Sequence, residues 1–198
     1  MKMFDQWRGM RAYQRLPASQ RAITFYSEGP AYGVHMEPIL DNLLDHSERA
    51  VAYLTSEPDD PILDRDHPQL SAFFIGAGSA RTALFKALEP TVMVMSTPDL
   101  ENMYLKRSIH PVHYVYVHHS LVSTHMVYNE GAFDHFDTIF CVGPHHEAET
   151  RAREKQTGLP PKEVFEHGYG RLDGIIEKTP TPEPIDTNAQ KRLLIAPS

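Results

Sequence analysis

Short runs rich in β-branched and aromatic residues alternate with segments of helical periodicity along most of the chain. Seven runs are predicted as strands: RAITFYSEG, AVAYLTSE, LSAFFIGAG, TVMVMST, HYVYVHHS, DTIFCVG and KEVFEHGYG. Strands joined through helices run parallel, and strands that are apolar on both faces are covered on both sides. The pattern therefore predicts an α/β fold, a doubly wound, Rossmann-like parallel sheet.

The segments between these runs are predicted as helices. HMEPILDNLLDHSE, SARTALFKALE and HHEAETRAREKQTG carry the pattern most clearly, and LDGIIEK is expected to form a brief helix. PDLENMYLKRS is expected to form a helix or a helical turn, and STHMVYNEGAF a helix.

Composition divides the chain into four parts. Residues 1–20 form an amphipathic helix, 21–178 the α/β domain, 179–190 a proline-rich polar linker, and 191–198 (KRLLIAPS) a new strand. A single strand cannot bury both of its own faces. We therefore expect it to open a second domain, with residues 1–178 as the first half of a two-domain protein.

Charge and cysteine content restrict the functional class. The 198 residues carry a formal net charge of −7 without a long run of either sign, so no basic footprint for nucleic acid is present. Cys141 is the single cysteine and lies in the apolar run DTIFCVG, which indicates a buried thiol and a reducing compartment. No apolar stretch reaches the length of a membrane span, so a cytoplasmic location is expected.

The N-terminal segment MKMFDQWRGMRAYQRL has two interpretations. Met3, Trp7 and Met10 share one helical face, and Lys2, Arg8, Arg11 and Arg15 supply positive charge. Such a helix either docks on its own domain or lies peripherally on an anionic membrane surface.

Candidate binding residues follow the predicted strands, because open parallel sheets bind ligands at the carboxyl ends of their strands. Ser27, Glu28 and Gly29 follow the first strand, and His118, His119 and Ser120 follow the fifth. Eight of the twelve histidines lie between positions 110 and 146. Imidazole titrates near neutral pH and suits a general base, and neighbouring strand residues point oppositely, so we expect only one of the two histidines to face a cleft.

The glycine turn and the histidines raise the question of a dinucleotide site or a metal site. Gly76 and Gly78 between a strand and a helix, with Asp99 after the next strand, resemble part of a dinucleotide site, although Arg81 stands where a third small residue belongs. An NAD(P)-dependent oxidoreductase is therefore an alternative. The histidines lack the spacing of a metal site, so no metal or other cofactor is expected.

From about Tyr114 to Asp173 the chain resembles the CDP-glycerol glycerophosphotransferases, the teichoic-acid primase and polymerase family. VYVHHSLVST takes the place of the family's W-H-G-T element, FDTIFCVGPHHEAETRA that of its strand and S-E helix, and HGYGRLD that of G-Y-P-R-N-D. KRLLIAPS is similar to the strand that opens the family's nucleotide-binding domain. His118, Ser120, Gly170 and Leu172 depart from the family's Trp, Gly, Pro and Asn.

The resemblance implies a GT-B-type transferase that moves glycerol phosphate, or a related polyol phosphate, from a CDP-activated donor to a hydroxyl of a cell-surface polymer or lipid-linked acceptor. His119 matches the catalytic histidine. The acceptor side would be formed by Ser27, Glu28, Gly29, His118, Ser120, Arg171 and Asp173. The donor would be held mainly by the second domain, so this chain alone would be inactive. A non-catalytic acceptor-binding half-domain is a further alternative.

Overall fold

Seven parallel strands form a single sheet. The computed structural model describes residues 2–180 and Ile195, so most of the predicted linker and of the KRLLIAPS strand lies outside the described residues. The strands are β1 Ile23–Ser27, β2 Val51–Thr55, β3 Leu70–Phe74, β4 Val92–Met95, β5 His113–Val117, β6 Thr138–Cys141 and β7 Glu163–Glu166. Their order in the sheet is β3-β2-β1-β4-β5-β6-β7. The prediction of a Rossmann-like parallel sheet is confirmed.

Helices occupy both faces of the sheet. They are α1 Lys2–Arg15, α2 Pro30–Gly33, α3 Glu37–His46, α4 Ser79–Lys86, α5 Thr124–Val127, α6 Pro144–Thr157 and α7 Gly170–Lys178. Short 3-10 turns lie at Ala18–Gln20 and Pro61–Asp64.

Two hydrophobic cores lie on opposite faces because successive strand residues point to opposite sides. Tyr114 and Tyr116 of β5 enter the core that also receives Met10 of α1 and Phe85 of α4. Val115 and Val117 enter the other core, with Leu40 and Leu44 of α3. The strand alternation read from the sequence therefore decides which neighbours each β5 side chain meets.

The expected helices after β4 and β5 form only in small part. Residues 96–112 form a loop with turns, in which Asp99 and Glu101 have φ values of 61° and 70°. This left-handed backbone does not belong to an α-helix. After β5 only the four residues of α5 are helical, and turns follow them to residue 135.

Helix α1 docks on the edge strand β3 of its own domain. A Cβ atom at Gly9 would overlap the carbonyl oxygen of Phe74, so glycine permits this close approach. Tyr13 is fully buried, and its hydroxyl lies 3.1 Å from Oγ1 of Thr24. Met10, which the sequence pattern places on one face with Trp7, packs in the core, as the docking interpretation of this segment requires.

Within the described part of the chain, none of the helices combines the length and the apolar character that a membrane crossing requires.

Candidate functional site formed by histidines and tyrosines

The direction in which the chain winds reverses between β1 and β4, so a crevice is expected at their carboxyl ends. Helix α2 follows β1 and covers this crevice, where Oγ of Ser96 donates a hydrogen bond to the carbonyl of Tyr32 at 3.1 Å. Thr97, beside it, is buried, and among the described residues its hydroxyl has no hydrogen-bond partner. The segment from α2 to His35 is thereby brought over β4 toward β5.

His119 lies at the centre of a group of aromatic side chains just beyond β5. The hydroxyl of the buried Tyr116 lies 2.8 Å from its Nδ1, and the hydroxyl of Tyr128 lies 3.2 Å from its Nε2. The ring of Tyr32 lies 6.0 Å from the His119 ring, edge to face. In the tautomer that carries its proton on Nδ1, the imidazole donates to Tyr116 and its Nε2 accepts from a hydroxyl.

A second imidazole, His35, lies 5.8 Å from the His119 ring, centroid to centroid. Tyr169 joins the two residues. Its hydroxyl donates to the backbone carbonyl of His119 at 3.1 Å and lies 3.2 Å from Nδ1 of His35, while its ring stacks on His35. We call the group formed by Tyr32, His35, His119, Tyr128 and Tyr169 the histidine–tyrosine site.

The packing of α7 on α3 holds Tyr169 in place. A Cβ atom at Gly170 would lie 2.6 Å from Cγ of Pro38, so glycine allows the start of α7 to rest on the start of α3. Gly170 stands where the motif G-Y-P-R-N-D has proline, and the contact with Pro38 explains why glycine fits at this position.

Both imidazoles of the site are held neutral at physiological pH. Burial lowers the pKa of His119, although the nearby backbone of Ser96 acts in the opposite direction. Burial also lowers the pKa of His35 to about 4, and the neighbouring His119 and Arg171 add to this shift. A neutral imidazole can accept a proton, so His119 is in the protonation state that a general base requires.

The side chain of His118 points away from this site, toward His146. It is 1% exposed, and its ring stacks on that of His146 with centroids 3.8 Å apart. Burial lowers the pKa of His118 to about 2, and His146 acts in the same direction. The structure therefore places His119, and not His118, beside the covered crevice.

The residues that follow β1 take part in local interactions. Oγ of Ser27 donates to the carbonyl of Gly29 at 2.6 Å, which fixes the turn into α2. Glu28 pairs with Arg81, whose Nη1 lies 3.1 Å from the carboxylate and donates to the hydroxyl of Tyr26 at 2.8 Å. Arg81 thus fills the space near the glycine turn with a buried, paired charge.

The other predicted acceptor residues lie at the margin of the site. The hydroxyl of Ser120 lies 2.9 Å from that of Tyr128, which extends the chain of polar contacts from His119. Arg171 and Asp173 are exposed in the first turn of α7, and Arg171 is close enough to affect the titration of His35.

The segment 121–127 presents apolar side chains next to the site, namely Leu121, Val122, Met126 and Val127. Glu149 of α6 anchors its centre by accepting hydrogen bonds from Oγ of Ser123 and the backbone N–H of Thr124, both at 2.6 Å. Burial opposes ionisation of Glu149, but these hydrogen bonds lower its pKa to about 2. We call this segment the apolar loop.

A cleft of about 720 Å³ lies between α5, the following turns and α6. Tyr128 lines it and so separates it from His119. Two of the lining side chains are Arg153 and Lys162. Arg153 is paired with Asp134 at 2.7 Å and Glu130 at 2.9 Å, and the ammonium group of Lys162 donates to the carbonyls of Asp134 and Phe136, so neither is free to meet a phosphate.

The structure does not bring together the elements of the dinucleotide alternative. Gly76 and Gly78 follow the edge strand β3, whereas Asp99 follows β4, which is three strand spacings away, or roughly 14 Å. Gln6 of α1 also packs over Gly76. In the described part of the chain, no group of three or more His, Cys, Asp or Glu side chains is placed to hold a metal ion. Burial raises the pKa of Cys141 to about 12, which makes this thiol a poor nucleophile.

Sequence reasoning missed His35, Tyr116, Tyr128 and Tyr169 as members or supports of the site. Tyr169 lies inside the HGYGRLD motif, and His35 follows the turn after β1, so both had a positional signal. Tyr116 and Tyr128 had none, because their contact with His119 arises from packing.

Comparison of the chain with models of known protein families, with curated proteins and with solved structures gives no match. The assignment of a function rests on the site and on the three motifs.

Proposed function

We propose that the protein is a CDP-glycerol glycerophosphotransferase-like enzyme in which His119 is the general base. The observation that carries the proposal is the environment of this imidazole. His119 lies at the carboxyl end of a buried strand, is neutral, and is oriented by the hydroxyl of Tyr116 at Nδ1. Its Nε2 is directed at a hydroxyl, that of Tyr128.

In the proposed reaction a hydroxyl of the acceptor takes the place of the Tyr128 hydroxyl at Nε2 of His119. The acceptor oxygen forms a bond to the β-phosphorus of the donor as its proton passes to Nε2. The bond from that phosphorus to the oxygen bridging the two phosphates breaks, and CMP leaves with the bonding electrons. The imidazolium then returns its proton to solvent.

The donor would be bound mainly by a second domain, completing a GT-B-type arrangement, so we infer that residues 1–178 hold the acceptor. The apolar loop beside His119 supports an amphiphilic acceptor, because four exposed apolar side chains at the rim of a polar site suit a lipid-linked polyol. Such an acceptor places the enzyme on the cytoplasmic side of the membrane, in peripheral contact with the inner leaflet. Arg171, near His35, is a candidate contact for an acceptor phosphate.

The test measures CMP release from CDP-glycerol by the full-length protein. His119→Gln is expected to lower kcat by about 10²–10⁴-fold. His46→Gln, which changes an exposed histidine at the end of α3, is the matched control and should leave kcat unchanged. Equal activity of the His119 variant and the control would refute the assignment of the base.

A second measurement distinguishes the transferase from a half-domain that binds the acceptor without catalysis. Residues 1–198 are titrated with glycerol 3-phosphate or CDP-glycerol while the histidine ring resonances are followed by NMR. We expect the glycerol phosphate to perturb His119 and His35. If binding occurs and the full-length protein never releases CMP, the half-domain interpretation is correct and the transferase proposal is wrong.

A further inference from the structure

Helix α1 has two faces of opposite character. Its inner face docks on β3 and the core through Gly9, Met10 and Tyr13. Its outer face exposes two aromatic side chains one turn apart, Phe4 at 82% and Trp7 at 50%. Docking of the inner face explains why the helix is part of the domain. It leaves the two large apolar side chains of the outer face without a partner in the described part of the chain.

Positive charge surrounds the two exposed aromatics. Arg8, Arg11 and Arg15 are exposed, and on a helical projection they share the outer face with Phe4 and Trp7. Arg8 contacts Asp5 at 3.5 Å, but both side chains are largely solvated, so the pair neutralises little of the charge. The helix contains four basic residues and one acidic residue in a chain whose net charge is −7. The helix thus carries a local excess of positive charge on a chain that is negative overall.

The outer face has a fixed position on the domain. Since Gly9 touches the backbone of β3, the helix cannot rotate to bury Phe4 and Trp7 without losing the buried contacts of Met10 and Tyr13. Gln6 packs over Gly76 at the carboxyl end of β3, whereas Tyr13 reaches Thr24 near the start of β1. The half of α1 that carries Phe4 and Trp7 is therefore at the same edge of the sheet as His119.

We propose that the outer face of α1 binds the surface of a bilayer rich in anionic phospholipids. Trp7 and Phe4 enter the headgroup region, and the three arginines pair with lipid phosphates. This inference rests on the proposed function and adds to it. Binding through α1 would turn the carboxyl edge of the sheet toward the membrane that holds the acceptor. Met10, which the sequence pattern grouped with Trp7, lies on the docked face and takes no part in this binding.

Trp7 is the only tryptophan of the chain, so its fluorescence reports on α1 alone. Vesicles of phosphatidylglycerol are expected to shift its emission to the blue and to protect it from acrylamide, and added salt should reverse the effect. Pure phosphatidylcholine vesicles should have little effect. Replacing Arg8, Arg11 and Arg15 by Gln together should weaken partitioning on the order of 100-fold. Phe4→Ser should weaken it roughly 10-fold.

The matched control removes exposed apolar side chains elsewhere, at Ile175 and Ile176 of α7, by substitution with Ser. This variant should bind vesicles like the natural chain. The proposal is wrong if phosphatidylglycerol leaves the Trp7 emission unchanged, if only the α7 variant loses binding, or if an acidic protein or nucleic acid shifts the emission while vesicles do not. CMP release with a water-soluble acceptor does not depend on the membrane, so that assay separates a failure of this inference from a failure of the proposed function.

Discussion

The hydroxyl of Tyr116, inside the core, lies 2.8 Å from Nδ1 of His119, outside the strand. The two residues are three positions apart, and the chain turns after Val117 so that the imidazole returns toward the tyrosine. Tyr116 is fully buried, and burial raises its pKa well above the usual range, so it remains a neutral hydroxyl. A hydroxyl fixed beside Nδ1 holds the ring in place, and in the tautomer that carries its proton on Nδ1 the other nitrogen, Nε2, is available as a base.

Removing this hydroxyl is expected to impair catalysis through the orientation of His119. Tyr116→Phe should lower kcat for CMP release by about 10-fold, the cost of one hydrogen bond of about 1.4 kcal/mol, with little change in KM. Without an acceptor for Nδ1–H the imidazolium is less stable, so the acidic limb of the kcat profile should move to lower pH. Tyr13→Phe removes another buried tyrosine hydroxyl, the one facing Thr24, and should leave the pH profile unchanged. An unchanged profile for Tyr116→Phe would show that Tyr116 has only a structural role.

Acid should destabilise the protein through the stacked pair His118 and His146. The folded-state pKa of His118 is about 2 and the usual value is 6.5, so between these values the unfolded chain binds more protons. Stability is therefore complete above about pH 6.5 and is lost as the pH falls below it, by at most about 1.4 kcal/mol per pH unit for this residue. Burial lowers the pKa of His146 as well, which adds to the slope. Urea unfolding at pH 7.5, 6 and 5 measures the effect.

His118→Phe keeps a ring for stacking on His146 and removes the proton-binding site. Its free energy of unfolding should depend on pH less steeply, by up to about 1.4 kcal/mol per pH unit. The comparison uses slopes, so a change in absolute stability does not affect it. Identical slopes for the two proteins would contradict the assignment of acid sensitivity to His118.

The close contact of α1 with β3 predicts a large effect of a single methyl group. Gly9→Ala should lower the free energy of unfolding by about 1–3 kcal/mol, because the new Cβ overlaps the Phe74 carbonyl and the helix must move. Gly174→Ala in α7 is the matched control, since nothing lies within 4 Å of the added Cβ. That variant should be stabilised by roughly 0.5–1 kcal/mol through helix propensity. Chemical denaturation of both variants decides the question, and equal effects would show that α1 is not held by this contact.

The apolar loop should lose its shape when its anchor is removed. Glu149→Ala deletes the acceptor for Ser123 and Thr124, so local opening of residues 121–128 should become more frequent. Limited proteolysis should cut this segment faster, and the KM for an amphiphilic acceptor should rise. Glu147→Ala, two residues away, removes only an exposed pair with Arg151 at 3.7 Å. The two variants should be indistinguishable if Glu149 does not anchor the loop.

The seven-stranded sheet follows from the sequence pattern. Alternating β-rich runs with apolar side chains on both faces can be buried only in a covered parallel sheet, and each of the seven predicted strands forms. The pattern did not fix the directions of His118 and His119, because both follow Val117, the last residue of β5, where the strand alternation ends, and the His119 imidazole returns to the hydroxyl of Tyr116. The turns at 98–108 and 128–135 were also not predictable from the sequence pattern. In the first of them, Asp99 and Glu101 adopt left-handed backbone conformations, which residue type seldom specifies.

The surroundings of His119 depend on how distant elements pack together. Four segments supply the side chains around His119, namely those of Tyr116, Tyr128, Tyr169 and His35. Their contacts depend on the order of the strands and on the packing of α7 against Pro38 through Gly170. Likewise, periodicity placed Met10 and Trp7 on one face of α1, but packing divided them, burying Met10 and exposing Trp7. Local sequence fixes the direction of a side chain relative to its own element, whereas the partners it meets are set by how distant elements pack.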